Sequence, residues 1–166
     1  MTTTAPTLKG SPHTRLAVRV LGALLILFVG ADHYYTYSVD DYSVLPTIGV
    51  LFLLNFISAT AVGLMLLAPL ERMMGRFGLT ALRLLALSGF GIAATSLAGL
   101  LVSEQTKLFG FMESNYRPAI IVAIASEAAA AVVLGLLLVL TLRTRQHVSR
   151  ARRPVAERHQ TSAETT

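Results

Sequence analysis

Four apolar stretches, each long enough to cross a bilayer, dominate this sequence of 166 residues. A helix needs about 20 mainly apolar residues to cross the hydrocarbon core of a membrane. Only 14% of the chain is charged, whereas an average soluble domain is about 25% charged. The sequence therefore predicts an all-α integral membrane protein, a bundle of four transmembrane helices with short loops and disordered termini. The predicted spans cover residues 16–37, 45–67, 81–102 and 119–142.

Basic residues are concentrated at one end of these spans. They cluster in the tail 1–14 and at the start of the membrane domain 15–143, in the connection between the second and third spans, and in the tail 144–166. Positively charged segments stay in the cytoplasm, so both termini are predicted to be cytoplasmic and the connections 34–44 and 103–117 to face outward. The predicted location is the plasma membrane. Arg19, near the start of the first span, is expected to reach back to the lipid headgroups.

The first apolar stretch has a second interpretation. Lys9, Arg15 and Arg19 precede a short apolar core, and Val29-Gly30-Ala31 has the small residues of a signal-peptide cleavage site. The aromatic-rich continuation from Asp32 to Tyr37 favours a retained span, because aromatic residues collect at membrane interfaces. The intact mass of the mature protein would distinguish the two.

Glu127 stands in the middle of the fourth span. A carboxylate there has to be paired, protonated or hydrated, since an unpartnered charge in lipid is costly. Helical steps of three and four from Glu127 meet small residues, which predicts that this face packs against other helices. The faces predicted to point inward are Gly22, Ile26, Gly30 and His33 in the first span, Phe52, Asn55, Ala59 and Gly63 in the second, Ser88, Gly91, Thr95 and Gly99 in the third, and Ile120, Ala123, Glu127, Ala131 and Gly135 in the fourth.

These faces predict a polar pocket that opens outward. Glu127 and Asn55 are placed at its floor, at similar depths along their helices, and Asp32 and His33 at its mouth among several tyrosines. Thr95 and Ser126 are the expected hydrogen-bonding partners of the floor. Two interpretations stay open. Glu127 is either a ligand, proton or cation site, or a protonated acid that joins helices through a hydrogen bond to Asn55.

The sequence also excludes several kinds of chemistry. Cysteine is absent, so there are no disulfides or thiolate metal sites. Catalytic serine and nucleotide-binding motifs are missing, and no basic face with interleaved aromatic residues suggests nucleic acid. Because Asp32 and His33 are adjacent on a helix, their side chains diverge by about 100°, so a metal site would need ligands from other spans and is not expected. No cofactor is expected either; for haem the reason is that His33 is the only histidine near a span. The apolar segment Leu108–Met112 is a candidate lid at the membrane interface.

Two segments resemble small four-span membrane proteins of actinobacteria that are uncharacterised. The first is Pro46-Thr47-Ile48-Gly49 followed by Leu51-Phe52-Leu53-Leu54-Asn55, and the second is Leu108-Phe109-Gly110-Phe111 with Glu113. Glu127 falls where that group tends to carry an acidic residue. The resemblance implies four helices and a plasma-membrane location, and it implies no activity.

Two functional hypotheses follow. The first is a non-enzymatic accessory or interaction subunit, either a homo-oligomer or a partner of another membrane protein, with Glu127 locking helices or recognising a partner span. The second is a small proton- or cation-coupled transporter, or a binder of lipid-like or quinone-like ligands, that acts as an oligomer. The sequence favours the first slightly, because four helices are few for a transporter that works alone.

Overall fold

The computed structural model describes residues 12–107 and 118–163 of the chain. Four of its helices are long and apolar enough to cross a membrane, which confirms the predicted all-α four-span bundle. The candidate lid at residues 108–112 lies outside the described residues, as do most of the first tail and Tyr116, one of the tyrosines expected near the mouth of the pocket. The α-helices are α1 (Pro12–Val39), α2 (Pro46–Leu67), the short α3 (Leu70–Met74), α4 (Gly78–Ser103) and α5 (Pro118–Ala163), and single 3₁₀ turns cover Tyr42–Val44 and Gly75–Phe77.

The four long helices form a ring. α1 packs against α2 and α5, and α4 packs against the same two helices from the opposite corner. Each helix therefore has antiparallel neighbours, as short connections favour. The backbone of α5 continues to Ala163, beyond the predicted end of the fourth span at residue 142. The boundaries of the two tails and their cytoplasmic location stay predictions.

The core of the bundle combines small residues with a few large ones. Leu134 of α5 is completely buried, and it lies opposite glycines on two other helices. A Cβ atom at Gly22 of α1 or Gly89 of α4 would come within 2.8 Å of the Leu134 side chain. Small residues at these positions let the backbones approach closely, which is how helices gain packing energy in a membrane. The outer surface carries exposed leucine and valine side chains, as lipid contact requires.

The start of α2 is fixed by a tight approach of the preceding turn. Pro46 occupies the first turn of the helix, where its missing N–H leaves no hydrogen bond unmade. A Cβ atom at Gly49 would lie 2.6 Å from the carbonyl oxygen of Tyr42, so only glycine lets the 3₁₀ turn rest on the helix. This contact holds the buried Tyr42 side chain over the end of the bundle where α1 ends and α2 begins. We call this end of the molecule the α1–α2 end.

Arg19 does not reach the lipid headgroups as the sequence suggested, because its guanidinium is used inside the protein. Its Nε donates to the carbonyl oxygen of Leu66 at 2.6 Å, Nη2 donates to the carbonyl oxygen of Ala68, and Nη1 pairs with Glu71 at 2.9 Å. The last carbonyls of a helix have no partner within the helix. α2 ends next to α1 at this level, so Arg19 satisfies carbonyls at the end of α2 and joins the two helices.

Candidate functional site

Three side chains from three helices form a buried hydrogen-bonded chain. His33 of α1 places Nε2 2.9 Å from Oγ of Ser96 on α4, and Ser96 Oγ lies 2.7 Å from Oε1 of Glu127 on α5. His33 Nε2 and Glu127 Oε1 are themselves 3.6 Å apart. Only 2% of Glu127 and 6% of His33 are exposed. The predicted inward orientation of Glu127 is therefore seen in the structure.

His33 lies deeper in the bundle than its position in the sequence suggested. The sequence placed it at the mouth of the pocket, whereas it contacts Glu127. α1 continues to Val39, two residues beyond the predicted end of the span. His33 therefore lies six residues, or about 9 Å at 1.5 Å per residue, before the end of its helix and within reach of Glu127.

The hydrogen-bond pattern fixes how many protons the chain holds. His33 Nδ1 lies 2.9 Å from the carbonyl oxygen of Val29, and a carbonyl oxygen only accepts, so Nδ1 carries a hydrogen. The Ser96 hydroxyl can donate only one of its two hydrogen bonds and must accept the other. One further proton, on either His33 Nε2 or Glu127, supplies the bond that Ser96 accepts. With that proton on His33 Nε2, His33 donates to Ser96 and Ser96 donates to the Glu127 carboxylate. With that proton on Glu127, Glu127 donates to Ser96 and Ser96 donates to His33 Nε2. The His33–Ser96–Glu127 chain is electrically neutral overall in both arrangements.

A cavity of about 410 Å³ lies beside this chain at the α1–α2 end of the bundle. It is lined by the last turns of α1 and α4 and by the first turns of α2 and α5, so all four membrane helices contribute. Most of its wall is apolar. The apolar wall includes Ile48, Leu51, Phe52, Leu54, Ile92 and Leu100.

Two buried polar atoms of residues on the cavity wall have no hydrogen-bond partner within the described part of the chain. They are Oε2 of Glu127 and Oδ1 of Asn55. A buried polar atom without a partner costs about 1–3 kcal/mol, and such atoms are uncommon in folded proteins. Both oxygens are hydrogen-bond acceptors, and both belong to residues that line the cavity.

An aromatic row borders the same cavity. The ring centre of Phe52 lies 4.9 Å from that of His33 and 5.0 Å from that of Tyr42, in tilted contacts. Phe52 thus sits between the buried hydrogen-bonded chain and the turn that covers the end of the bundle. Of the tyrosines predicted around the mouth, Tyr42 lines the cavity, whereas the exposed Tyr34 packs against Phe56 with ring centres 4.7 Å apart.

Most of the predicted site residues meet at this cavity. Asp32, His33, Asn55, Thr95 and Glu127 all line it. Asn55 shares the wall with Glu127 without a hydrogen bond to it among the described residues. Whether any of these residues binds a ligand stays a prediction.

Thr95 and Ser126 use their hydroxyl groups on their own helices. Thr95 donates to the carbonyl oxygen of Gly91 at 2.6 Å, and Ser126 donates to that of Ala123 at 3.0 Å. Ser126 is buried but is not part of the cavity wall. Glu127 is instead hydrogen-bonded to Ser96, one position beyond Thr95. The sequence pattern did not predict this role of Ser96.

The described residues do not assemble a metal site. No group of three histidine, cysteine, aspartate or glutamate side chains converges closely enough among them to hold a metal ion. The chain also matches no protein family, no curated protein and no solved structure. Of what the resemblance to actinobacterial membrane proteins implies, the four-span architecture is confirmed. The functional interpretation therefore depends on the cavity and on the residues that line it.

Proposed function

We propose that this protein is a non-enzymatic membrane receptor for a small, largely apolar molecule that binds in the cavity. The polar end of the ligand would lie against Glu127 and Asn55, and its apolar part against the leucine, isoleucine and phenylalanine wall. The observation that carries this proposal is the cavity itself. Its volume of about 410 Å³ falls in the range of roughly 300–1,000 Å³ common for ligand sites, which are mostly apolar with a few convergent polar groups.

The cavity favours ligand binding over the interaction subunit that the sequence favoured slightly. If Glu127 served only to join helices, we would expect both of its carboxylate oxygens to be used in the bundle. Oε1 bonds to Ser96, but Oε2 has no partner within the described residues. A subunit that works only through its outer surface also has no need of an open space between its helices.

We further propose that the cavity opens on the outer face of the plasma membrane. This orientation is supported by the arginines of both tails and of the α2–α4 connection, which the positive-inside rule assigns to the cytoplasm. The resemblance to plasma-membrane proteins of actinobacteria supports the same location. A ligand would then reach the site from outside the cell or from the outer leaflet.

Photolabelling tests the proposal. Octanol that carries a diazirine is expected to label residues of the cavity wall in the full-length protein held in lipid nanodiscs, as mapped by peptide mass spectrometry. Gly99 lines the cavity and has no atom within 4 Å of the position that a Cβ would take, so the Gly99→Leu side chain fills empty space. If it displaces about two methylene groups of the probe, affinity should fall about 15-fold, at about 0.8 kcal/mol per methylene.

Gly91→Leu is the matched control for this experiment. Gly91 lies on the same helix and also has no neighbour within 4 Å of its Cβ position, but it is not part of the cavity wall. Labelling should therefore stay at the wild-type level. The proposal fails if octanol labels only the outer surface of the helices, or if Gly91→Leu reduces cavity labelling as much as Gly99→Leu does.

A further inference from the structure

The charged residues on the cavity wall are mainly acidic. Asp32, Asp40 and Glu127 line it, His33 is the one basic side chain on it, and no lysine or arginine of the described residues contributes. We propose that the ligand is a lipophilic organic cation, an ammonium or phosphonium group that carries apolar substituents, and that it binds in exchange for one proton. This inference rests on the proposed function, because it specifies the ligand of the same cavity.

An acidic wall alone would not identify a ligand, but the unused oxygen of Glu127 is independent support. Oε2 belongs to a side chain that is 98% buried, and it has no hydrogen-bond partner among the described residues. A carboxylate in such surroundings is stabilised by an opposite charge or by a proton. Asn55 Oδ1, also buried and free within the described chain, adds a second acceptor dipole that favours positive charge.

The aromatic row and the apolar wall favour an organic cation over a metal ion. Phe52 lies between His33 and Tyr42 on the cavity wall, and the face of an aromatic ring attracts cations. A metal ion would need three or more converging ligands, which the described residues do not provide. An organic cation needs few polar contacts and gains from burial of its substituents against leucine, isoleucine and phenylalanine side chains.

The hydrogen-bonded chain explains why one proton should leave. In the empty site, the His33–Ser96–Glu127 chain holds one mobile proton and has no net charge. When a monovalent cation binds at Oε2, release of that proton leaves neutral His33, with hydrogen on Nδ1 toward Val29, and the Glu127 carboxylate. The positive charge of the ligand then replaces the positive charge of the proton. The net charge of the chain together with the ligand is therefore the same after binding as that of the chain before it, so binding adds no uncompensated charge.

The sign of the pH dependence follows from this exchange. Because a proton leaves when the cation binds, a lower pH opposes binding and a higher pH favours it. On the described cavity wall, the other titratable groups near Glu127 are Asp32 and His33 of α1 and, toward the end of the bundle, Asp40 and Tyr42. α2 and α4 present only uncharged groups to the cavity, among them Asn55 and Ser96, and α5 adds no further titratable group.

Calorimetry with tetraphenylphosphonium tests the inference in the full-length protein. This probe is a permanent cation and has no proton of its own to lose, so any proton released comes from the protein. Titrations in two buffers of different ionisation enthalpy should show release of about one proton per bound cation, and affinity should fall up to about tenfold for each unit of decreasing pH. The wild-type titration needs no substitution and is therefore independent of variant folding.

Glu127→Gln is the matching variant, because glutamine keeps an oxygen for Ser96 and removes the charge. Its affinity for tetraphenylphosphonium should fall at least about 30-fold, and proton release should disappear. Photolabelling of its cavity by diazirine-octanol should persist, which shows that the bundle is folded. Cation binding without proton release, or equal binding by Glu127→Gln, would overturn the inference while leaving the proposed function intact. If neither probe reaches the cavity, the proposed function fails as well.

Discussion

Replacing Arg19 by methionine is expected to lower the free energy of unfolding of the bundle by about 3 kcal/mol. Methionine keeps most of the apolar stem but removes the guanidinium, which serves Leu66, Ala68 and Glu71 at once. α2 ends at Leu67, and Ala68 is extended with Pro69 after it, so the freed carbonyl of Leu66 has no following turn to bond to it. Reversible unfolding in mixed micelles, followed by circular dichroism, measures the change.

Two further variants separate the contributions of the Arg19 partners. Glu71→Gln should cost less than about 1 kcal/mol, because the Glu71 side chain is 55% exposed and exposed ion pairs contribute little. Arg19→Lys should fall between wild type and Arg19→Met, because one ammonium cannot reproduce the planar fork of the guanidinium. An Arg19→Met protein as stable as the wild type would show that these hydrogen bonds do not hold α1 to the end of α2.

The second large effect is expected at Ser96. Ser96→Ala should lower the free energy of unfolding by about 1–3 kcal/mol, because it leaves two buried groups, His33 Nε2 and Glu127 Oε1, without the hydroxyl that joins them. The number of protons released per bound cation should also change, because the hydrogen-bonded chain between His33 and Glu127 is interrupted at Ser96. Unfolding and calorimetric proton release are measured on the same preparation.

Ser126→Ala is the control, one residue from Glu127 on the same helix. Its hydroxyl is buried but donates only to the carbonyl oxygen of Ala123 on its own helix. Loss of such a local bond is expected to change stability by no more than about 0.5 kcal/mol. If Ser96→Ala and Ser126→Ala behaved alike in both measurements, the His33–Ser96–Glu127 chain would have no special role.

Much of the bundle is predictable from the sequence, because length and hydropathy determine which segments cross a membrane. The predicted inward face of the first span is confirmed at Gly22, Ile26, Gly30 and His33, all of which are buried. In α2 the predicted face is found at Ala59 and Gly63, and in α5 at Ile120 and Glu127. In these three helices, the face that carries a polar residue among small residues is the face that contains these buried residues.

α4 is the exception, because it carries small residues on more than one side. Helical steps through Ser88, Gly91, Thr95 and Gly99 predicted one face, of which Thr95 and Gly99 line the cavity. The fully buried face of α4 instead contains Leu82, Ala86, Gly89 and Ala93 and leads to Ser96. The Leu134 side chain of α5 packs on this face, and a Cβ atom at Gly89 would come within 2.8 Å of it. This packing involves a neighbouring helix, and hydropathy along α4 does not contain it.

The arginines inside the bundle show the same limit. Arg19 was expected to reach the lipid headgroups, and Arg83 lies near the basic connection between the second and third spans. Both lie at the end of the bundle opposite the cavity. Arg83 donates to the carbonyl oxygen of Thr141 at 2.5 Å, and Arg19 bonds to the end of α2. Which backbone carbonyl each one reaches depends on where the partner helix ends and how it is rotated. Neither is visible in the pattern of one sequence.

Whether the cavity admits a ligand can be decided by cysteine alkylation, because the chain has no cysteine of its own. Gly99 lines the cavity, and the preceding residue, Ala98, lies at nearly the same depth but is exposed on the outside of α4. Gly99→Cys should react with a water-soluble methanethiosulfonate reagent added to both sides of the membrane, and tetraphenylphosphonium should protect it. Ala98→Cys should react slowly and without protection, since its thiol meets lipid. Equal reactivity of the two, or no protection of Gly99→Cys, would contradict the presence of a ligand site between these helices.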